Sequence, residues 1–374
     1  MLGVDRFILS PTFRHLRLGL LTNHATVTSS RIPLAVALLR SGFQVSRIFS
    51  PEHGVAAQGE DGKKQSNHFD PLTGIPVVSL YGTQLAPSSN EVIDLDAIVV
   101  DLPNIGCRFY TYWWTITYLL EACASTGCKI ILLDRPNLSK RFVSQTEGPM
   151  LQESSCSSFL GRWTMPLTFS WTYGQLARWF CHERKIGTDL IVVPTDPDDS
   201  IFIPPSPAIN QPEAVSIYPC TGLFEGIEIS NGRGTTFPFR VLGAPWINAN
   251  QWQEDIRDLN IEGLDAVPFL FQPIWGMYEG QMCQGLFFNI SDPLTFKPVE
   301  AGLQLLRYLY NKYPEHIRVS PYPTAANPTG QGHLDKLLGI PNSFRTVTTM
   351  DKSELRNLLQ VDEWTSRVDR FLRD

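Results

Sequence analysis

Residues 97–134 read AIVVDLPNIGCRFYTYWWTITYLLEACASTGCKIILLD, and this stretch decides the fold. It begins with a short apolar run from Ala97 to Asp101 and ends with a second run from Lys129 to Asp134. Between them, apolar residues recur at three- and four-residue spacing from Tyr110 to Thr126, and Gly127 follows as a C-terminal cap should. A strand, a helix and a strand in this order predict two parallel strands joined by a crossover helix.

The same alternation extends through the first half of the chain. Further strands are predicted at Leu18 to Thr22, Val45 to Ser50, Ile75 to Ser79 and Leu190 to Pro194, and further helices at Ile32 to Ser41 and Thr172 to Arg184. We therefore predict an α/β fold in which residues 1–200 form a Rossmann-like parallel-sheet domain.

The second half has a different pattern. Proline and aspartate dominate the stretch from Pro194 to Pro212, and strands no longer alternate with helices after it. One strand is predicted at Leu286 to Ile290, and helices are predicted at Pro298 to Tyr313 and Ser353 to Leu359. We expect residues 201–374 to form a smaller α+β domain that closes a cleft against the first one.

Composition excludes several classes of partner. The 374 residues carry a formal net charge of -6, so no basic surface is expected for nucleic acid. No run approaches the roughly 20 apolar residues of a membrane-spanning helix. The start of the sequence lacks a secretion signal, and the seven cysteines form no CxxC pair, which favours a cytoplasmic location, or a periplasmic or secreted one if the N-terminus had been trimmed. The sequence does not fix the oligomeric state.

Polar residues follow several predicted strands at the point where each strand ends. Asn23 follows the first strand, Glu52 and His53 follow the second, Arg108 follows the fourth, and Arg135 follows the fifth. In an open parallel sheet, ligands bind in the crevice outside the carboxyl ends of the strands. Any one of these residues could instead be a helix cap or half of a structural ion pair, but together they predict a ligand site at this edge.

Nucleotide and metal chemistry are disfavoured. The first strand is not followed by a GxGxxG segment, and GxxxxGK[ST] is absent. The histidines are scattered, without the spacing of a zinc site. We therefore expect no cofactor and no metal.

Several segments, in one order along the chain, resemble a known bacterial family. These are Ser50-Pro51-Glu52-His53-Gly54, Arg108-Phe109-Tyr110-Thr111-Tyr112, Asp134-Arg135-Pro136-Asn137, Glu147-Gly148-Pro149, Thr221-Gly222-Leu223-Phe224-Glu225-Gly226 and Gly232-Arg233-Gly234-Thr235-Thr236. The ordered set is similar to the exo-β-N-acetylmuramidases, once grouped as a domain of unknown function, and matching segments run from about Gly19 to the region of Asp335 to Gly339.

The resemblance implies a two-domain glycoside hydrolase that releases N-acetylmuramic acid from the non-reducing end of peptidoglycan fragments. The expected partner is a cell-wall muropeptide or another amino-sugar ligand. One departure concerns Pro103-Asn104, where family members often carry Gln-Asp. The loss of that carboxylate motivates an alternative, a non-catalytic saccharide-binding or peptidoglycan-fragment-binding protein derived from the same family.

Glycoside hydrolysis usually needs two carboxyl groups, one protonated and one ionised. Glu52 and Glu147 are the first candidates, and His53 is placed to adjust the pKa of Glu52. Glu225 and Glu228 are reserve carboxylates that we group with the substrate-binding residues. The sequence does not decide which carboxyl is the acid, or whether the reaction retains or inverts configuration.

The lactyl ether of muramic acid adds a carboxylate that an enzyme can recognise with a cation. Arg233 lies between two glycines whose freedom at positive φ suits an anion site, and Arg108 is the second candidate. Tyr110 is a candidate for stacking on the sugar ring. Asn23 and Arg135 complete the predicted substrate-binding set. A tight turn with an exposed arginine is the plain alternative at Arg233.

Overall fold

The computed structural model of the protein describes residues 1–141, 146–196 and 202–373. Its ten strands are β1 (Arg17–Thr22), β2 (Gln44–Ser50), β3 (His68–Phe69), β4 (Pro76–Ser79), β5 (Ala97–Asp101), β6 (Lys129–Leu133), β7 (Leu190–Val193), β8 (Val241–Ala244), β9 (Leu264–Phe271) and β10 (Cys283–Ile290). The predicted boundary between residues 200 and 201 lies outside the described residues.

Thirteen helices are present in the described part of the chain. They are α1 (Gly3–Leu9), α2 (Leu34–Arg40), α3 (Ser89–Val92), α4 (Tyr112–Thr126), α5 (Glu153–Cys156), α6 (Tyr173–Glu183), α7 (Pro212–Thr221), α8 (Ala249–Leu259), α9 (Pro298–Lys312), α10 (His333–Leu338), α11 (Ser343–Thr349), α12 (Lys352–Leu359) and α13 (Asp362–Arg373). None of these helices is both long enough and apolar enough to cross a membrane.

The first seven strands form one sheet in the order β3-β4-β2-β1-β5-β6-β7. All pairings are parallel except that of β3 with β4. The chain proceeds outward from β1 through β2 to β4, and then returns to β5 on the other side of β1 and proceeds to β7. The order therefore reverses between β1 and β5, and this reversal point is where doubly wound sheets bind their ligands.

The predicted Rossmann-like architecture is confirmed. Because side chains alternate between the two faces of a strand, each strand can bury apolar residues against helices on both sides of the sheet. Leu18 and Leu20 of β1 are buried on the face that α1 and α2 cover, whereas Leu21 is buried on the opposite face. That opposite face packs against Trp113 of α4 and continues without interruption into the core of the second half. Both faces of the sheet are thus covered, as parallel sheets require.

The second half contains a three-stranded antiparallel sheet in the order β8-β10-β9. Helices α7 and α9 pack against each other, and α8 packs on β9 and β10. A smaller sheet with several helices is the α+β unit that the sequence predicts.

The last helix returns to the first domain. Trp364 of α13 packs edge-on against Trp171, with 5.1 Å between the ring centroids, and the Trp171 indole N–H donates to Asp369 at 2.9 Å. Phe371 packs against Trp179 of α6 at 5.4 Å. The C-terminal residues therefore cover aromatic side chains of the first domain.

Candidate active site

A narrow cavity, with about 50 Å³ of space for water-sized molecules, lies between the two halves of the chain. Its walls include the residues that follow β2 and those that precede α4, so it lies at the carboxyl edge of the sheet. Polar and charged residues that line it are Glu52, His53, Asp61, Tyr81, Tyr110, Thr111, Ser158, Ser206, Tyr218, Glu225, Arg233, Tyr322, Thr324, Asn327, His333 and Lys336.

Glu52 is the most enclosed carboxyl group of the cavity, with 5% of the residue exposed. The Gly62 N–H donates to Oε1 at 3.0 Å, and the Thr111 hydroxyl donates to Oε2 at 2.7 Å. Burial raises the pKa of Glu52, and the nearby Asp61 also raises it, against the opposing effects of His53 and the two donors. Glu52 is therefore a carboxyl group that holds its proton at a higher pH than an exposed glutamate does.

His53 joins the two ends of the loop that follows β2. Its Nδ1–H donates to the Gly59 carbonyl at 2.8 Å, and its own carbonyl accepts from the Gly59 N–H at 2.9 Å. Its Nε2 lies 4.0 Å from Asp61 Oδ1. His53 has a φ of 70°, a left-handed conformation that is uncommon for residues other than glycine. The loop thus holds an imidazole between two carboxyl groups at some cost in backbone strain.

Arg233 ties two further carboxylates together. Its guanidinium donates to Glu225 Oε1 at 2.6 Å and lies 3.4 Å from Asp61 Oδ2. Burial alone would raise the pKa of Asp61, but Arg233, His53 and a hydrogen bond from Tyr322 outweigh it and lower that pKa. Asp61 is therefore ionised under conditions in which the neighbouring Glu52 keeps its proton.

The backbone around Arg233 has the predicted conformation. Gly232 and Gly234 have φ values of 81° and 79°, and a Cβ on Gly234 would lie 2.2 Å from the Trp275 carbonyl oxygen. Glycine is required here because a larger residue would be strained and would collide with the neighbouring loop. This turn aims the Arg233 side chain into the cavity, where carboxylates of the protein already surround it.

Among the described residues, Glu52, His53 and Asp61 form a cluster whose ligand atoms lie within 4.8 Å of one another. The spacing of the histidines along the sequence did not indicate this cluster. Both carboxylates already have protein partners, because Glu52 accepts two hydrogen bonds and Asp61 faces Arg233. The charge of Arg233 also repels a cation, so the donor set does not fit a metal ion well.

Glu147 is not among the residues that line the cavity, so the structure does not bring it together with Glu52, and its catalytic role stays a prediction. Its carboxylate accepts the backbone N–H groups of Val299 at 3.1 Å and of Glu300 at 3.0 Å, at the N-terminus of α9. Burial raises its pKa to about 7, against the effect of these two donors. Glu147 therefore joins the first domain to the longest helix of the second by capping that helix.

Arg108 also lies outside the cavity and is fully buried. Its guanidinium donates to the carbonyl oxygens of Pro149 at 2.7 Å, Met165 at 3.0 Å and Leu337 at 3.0 Å. Because these three carbonyls occupy it, Arg108 links the two domains and does not face a ligand. Its predicted role in binding a substrate carboxylate stays a prediction that these contacts do not support.

Of the remaining predicted residues, some line the cavity and others have structural contacts elsewhere. Tyr110 and Glu225 line the cavity. Asn23 donates to the Tyr112 hydroxyl at 3.0 Å, and Arg135 forms an ion pair with Asp101 and donates to the Val27 carbonyl, so both stabilise the strand ends. Glu228 is not among the lining residues, and its backbone pairs with Arg318.

Asn104, the departure that motivated the binding-protein alternative, is a buried structural residue. Its amide donates to the Trp171 carbonyl at 3.0 Å, and its side-chain oxygen accepts from the Gly106 N–H at 2.9 Å. It does not line the cavity. The presence of Asn104 in place of an aspartate therefore removes no carboxylate from the cavity.

The sequence did not single out Asp61, Tyr322, His333 or Lys336. Asp61 lies in a glycine-rich loop with no recognisable motif, and the others lie more than 250 residues further along the chain. The one available signal was the last matching segment of the resemblance, Asp335 to Gly339, which contains Lys336.

A carboxyl group with a raised pKa beside one with a lowered pKa, in a cleft at the carboxyl edge of a parallel sheet, is an arrangement that glycoside hydrolases use for acid catalysis, and the related proteins identify the class as a glycosidase. The chain belongs to the family of the exo-beta-N-acetylmuramidase NamZ, whose N-terminal model matches residues 18–213 and whose C-terminal model matches residues 216–373.

Relatives and solved structures agree with this family. The chain is 34% identical over 359 residues to the peptidoglycan beta-N-acetylmuramidase NamZ of Bacillus subtilis, covering 93% of this chain and 83% of the relative. A DUF1343 family protein from Bacteroides fragilis has the same fold, with a TM-score of 0.84 at 24% identity, and covers 100% of this chain and 96% of its own. A second one from that organism has a TM-score of 0.71 at 26% identity, with 99% and 96% covered.

Proposed function

We propose that this protein hydrolyses the glycosidic bond of a terminal N-acetylmuramic acid at the non-reducing end of peptidoglycan fragments, with Glu52 as the proton donor. The observation that carries the proposal is the contrast between Glu52 and Asp61 in one cavity. The relative from Bacillus subtilis bears the name of a peptidoglycan beta-N-acetylmuramidase, which supports this substrate class.

The proton on Glu52 has a defined task in this mechanism. Cleavage leaves the departing sugar as an alkoxide unless a group donates a proton to the glycosidic oxygen as the bond breaks. Burial raises the pKa of Glu52, which favours its protonated form, and Thr111 and Gly62 fix its orientation. Asp61 stays ionised and stabilises the positive charge that develops on the sugar ring.

Glu52→Gln tests the assignment when two substrates with different leaving groups are compared. A nitrophenyl N-acetylmuramide has a leaving group that needs little protonation, whereas the N-acetylmuramyl-N-acetylglucosamine disaccharide needs it fully. We expect kcat to fall by roughly 10²–10⁴ on the disaccharide and by much less on the nitrophenyl glycoside. Equal losses on both substrates would contradict a proton-donor role.

Glu147→Gln is the matched control, because it removes a buried carboxyl group that lies outside the cavity. It should leave kcat on both substrates within a few-fold of the unchanged protein. Tight binding of N-acetylmuramic acid by the unchanged protein, without turnover of either substrate, would instead support a saccharide-binding protein.

A cytoplasmic location remains a prediction from the sequence. The seven cysteines are all free thiols, which agrees with a reducing compartment. Fractionation of cells that express the native gene, followed by detection of the protein, tests this prediction.

A further inference from the structure

We propose that Lys336 binds the carboxylate of the N-acetylmuramic acid unit and thereby selects this sugar over N-acetylglucosamine. The inference rests on the proposed function, because the lactyl carboxylate is the group that distinguishes the two sugars. It replaces the two arginines that the sequence suggested for this role.

The two arginines are already occupied. Arg108 is fully buried and donates to three backbone carbonyls. Arg233 reaches the cavity, but its charge is matched there by Glu225 at 2.6 Å and by Asp61 at 3.4 Å. An anionic substrate that approached Arg233 would meet these two carboxylates as well, so the attraction would be largely cancelled.

Two basic residues of the lysine or arginine type line the cavity, Arg233 and Lys336. Within the described parts of the chain, Arg233 pairs with carboxylates and Lys336 does not. Its ammonium group donates to the backbone carbonyl of Gln331 at 3.0 Å and is partly buried. The adjacent Asp335 is directed elsewhere, since its carboxylate accepts the Asn342 N–H at 3.1 Å and the Ser343 N–H at 2.9 Å. A partly desolvated ammonium group without an acidic partner favours an anion as its ligand.

The position of Lys336 is fixed by the surrounding structure. It belongs to α10, whose Leu337 carbonyl accepts from Arg108 and whose Asp335 caps α11. Phe159 and Leu160 line the same cavity and supply an apolar wall. A charge held in place beside apolar side chains gains more from an ion pair than an exposed lysine does. Burial also lowers the pKa of Lys336, as expected for an ammonium group that has no carboxylate partner.

The test compares three chromogenic substrates that differ only at the lactyl group: the N-acetylmuramide, its lactyl methyl ester and the N-acetylglucosaminide. We expect Lys336→Met to raise KM for the acid about 10–100-fold with kcat nearly unchanged, because an interaction present in both ground and transition states is removed. On the ester and the N-acetylglucosaminide, the variant and the unchanged protein should behave alike. Lys336→Arg should keep the preference for the acid.

Lys352→Met is the charge-matched control, since Lys352 is exposed and lies outside the cavity. It should not change KM for any of the three substrates. Equal effects of Lys336→Met on acid and ester, or no effect on the acid, would overturn the proposal.

Binding of free N-acetylmuramic acid, measured by calorimetry, separates this proposal from the proposed function. If the unchanged protein turns over none of the substrates, the hydrolase proposal fails, and the calorimetric comparison still decides the role of Lys336. A thermal unfolding curve of Lys336→Met that matches the unchanged protein shows that the variant folds.

Discussion

The carboxyl group of Glu147 predicts a pH dependence of stability that a single substitution should remove. The folded-state pKa of Glu147 is about 7, compared with an ordinary value of 4.5. Because the folded protein retains this proton at pH values where the unfolded chain has lost it, the associated stability is complete below about pH 4.5 and is lost as the pH rises to 7. The sign is thus opposite to that of a salt-bridged carboxylate.

The magnitude follows from the two pKa values. Linkage of one proton with these constants predicts a loss of roughly 2–3 kcal/mol in the free energy of unfolding between pH 5 and pH 8. Glu147→Gln cannot titrate, so it lacks this loss. Between pH 5 and pH 8, the variant should therefore gain roughly 2–3 kcal/mol in free energy of unfolding relative to the unchanged protein.

Urea denaturation of both proteins at pH 5 and pH 8 measures this difference. Glu147→Gln also loses part of the hydrogen bonding to Val299 and Glu300, but that cost is similar at both pH values and cancels in the comparison. A difference in unfolding free energy that is the same at pH 5 and pH 8 would refute the reasoning. It would mean that the two donors and the dipole of α9 keep the carboxylate ionised despite its burial.

Three further predictions concern the contact between the domains, the proton donor and the stereochemistry of the reaction. Arg108→Met should lower the free energy of unfolding by about 2–4 kcal/mol, because three buried carbonyls lose their donor. Arg345→Met, at an exposed position, should change it little, and chemical denaturation measures both variants. Activity should fall as the pH rises through the raised pKa of Glu52, and Thr111→Val should extend activity to higher pH because a donor that lowers this pKa is removed; pH profiles of kcat measure this. The short separation of Glu52 and Asp61 predicts retention of configuration, so NMR should detect the β-anomer of the released sugar first.

Each prediction has a clear contradicting result. A normal unfolding free energy for Arg108→Met would show that nearby groups or water replace its hydrogen bonds. A profile whose alkaline limb does not move in Thr111→Val would show that another group sets that limb. Initial formation of the α-anomer would indicate inversion, and Asp61 would then not act directly at the anomeric carbon.

The sheet could be predicted because its determinants are local. The predicted strand from Ala97 to Asp101 has the observed bounds, and the predicted helix from Tyr110 to Thr126 differs from α4 by two residues at its start. Apolar periodicity and the capping Gly127 lie within the elements themselves. Tyr110 lies in the turn before α4 and lines the cavity, and apolar periodicity alone does not distinguish such a turn from the first residues of a helix.

The site was harder to predict because its residues meet across long sequence separations. The position of Glu52 after a predicted strand, and the family resemblance for both residues, predicted that Glu52 and Arg233 share one crevice, and both line the cavity. The partners of Glu147 and Arg108 lie 152 and 229 residues away, so the sequence could not distinguish a ligand-facing charge from one that joins two domains. The hydrogen-bond partners of these side chains separate the two cases, and the partners depend on the complete fold.

The packing of α13 on α6 has a consequence for the first domain. The strands of the first domain are complete by Val193, but Trp171 and Trp179 pack against Trp364 and Phe371, which lie much later in the sequence. A chain that lacked α13 would leave these two indoles without those ring contacts. The aromatic surface of the first domain therefore depends on a segment of the second half for its packing.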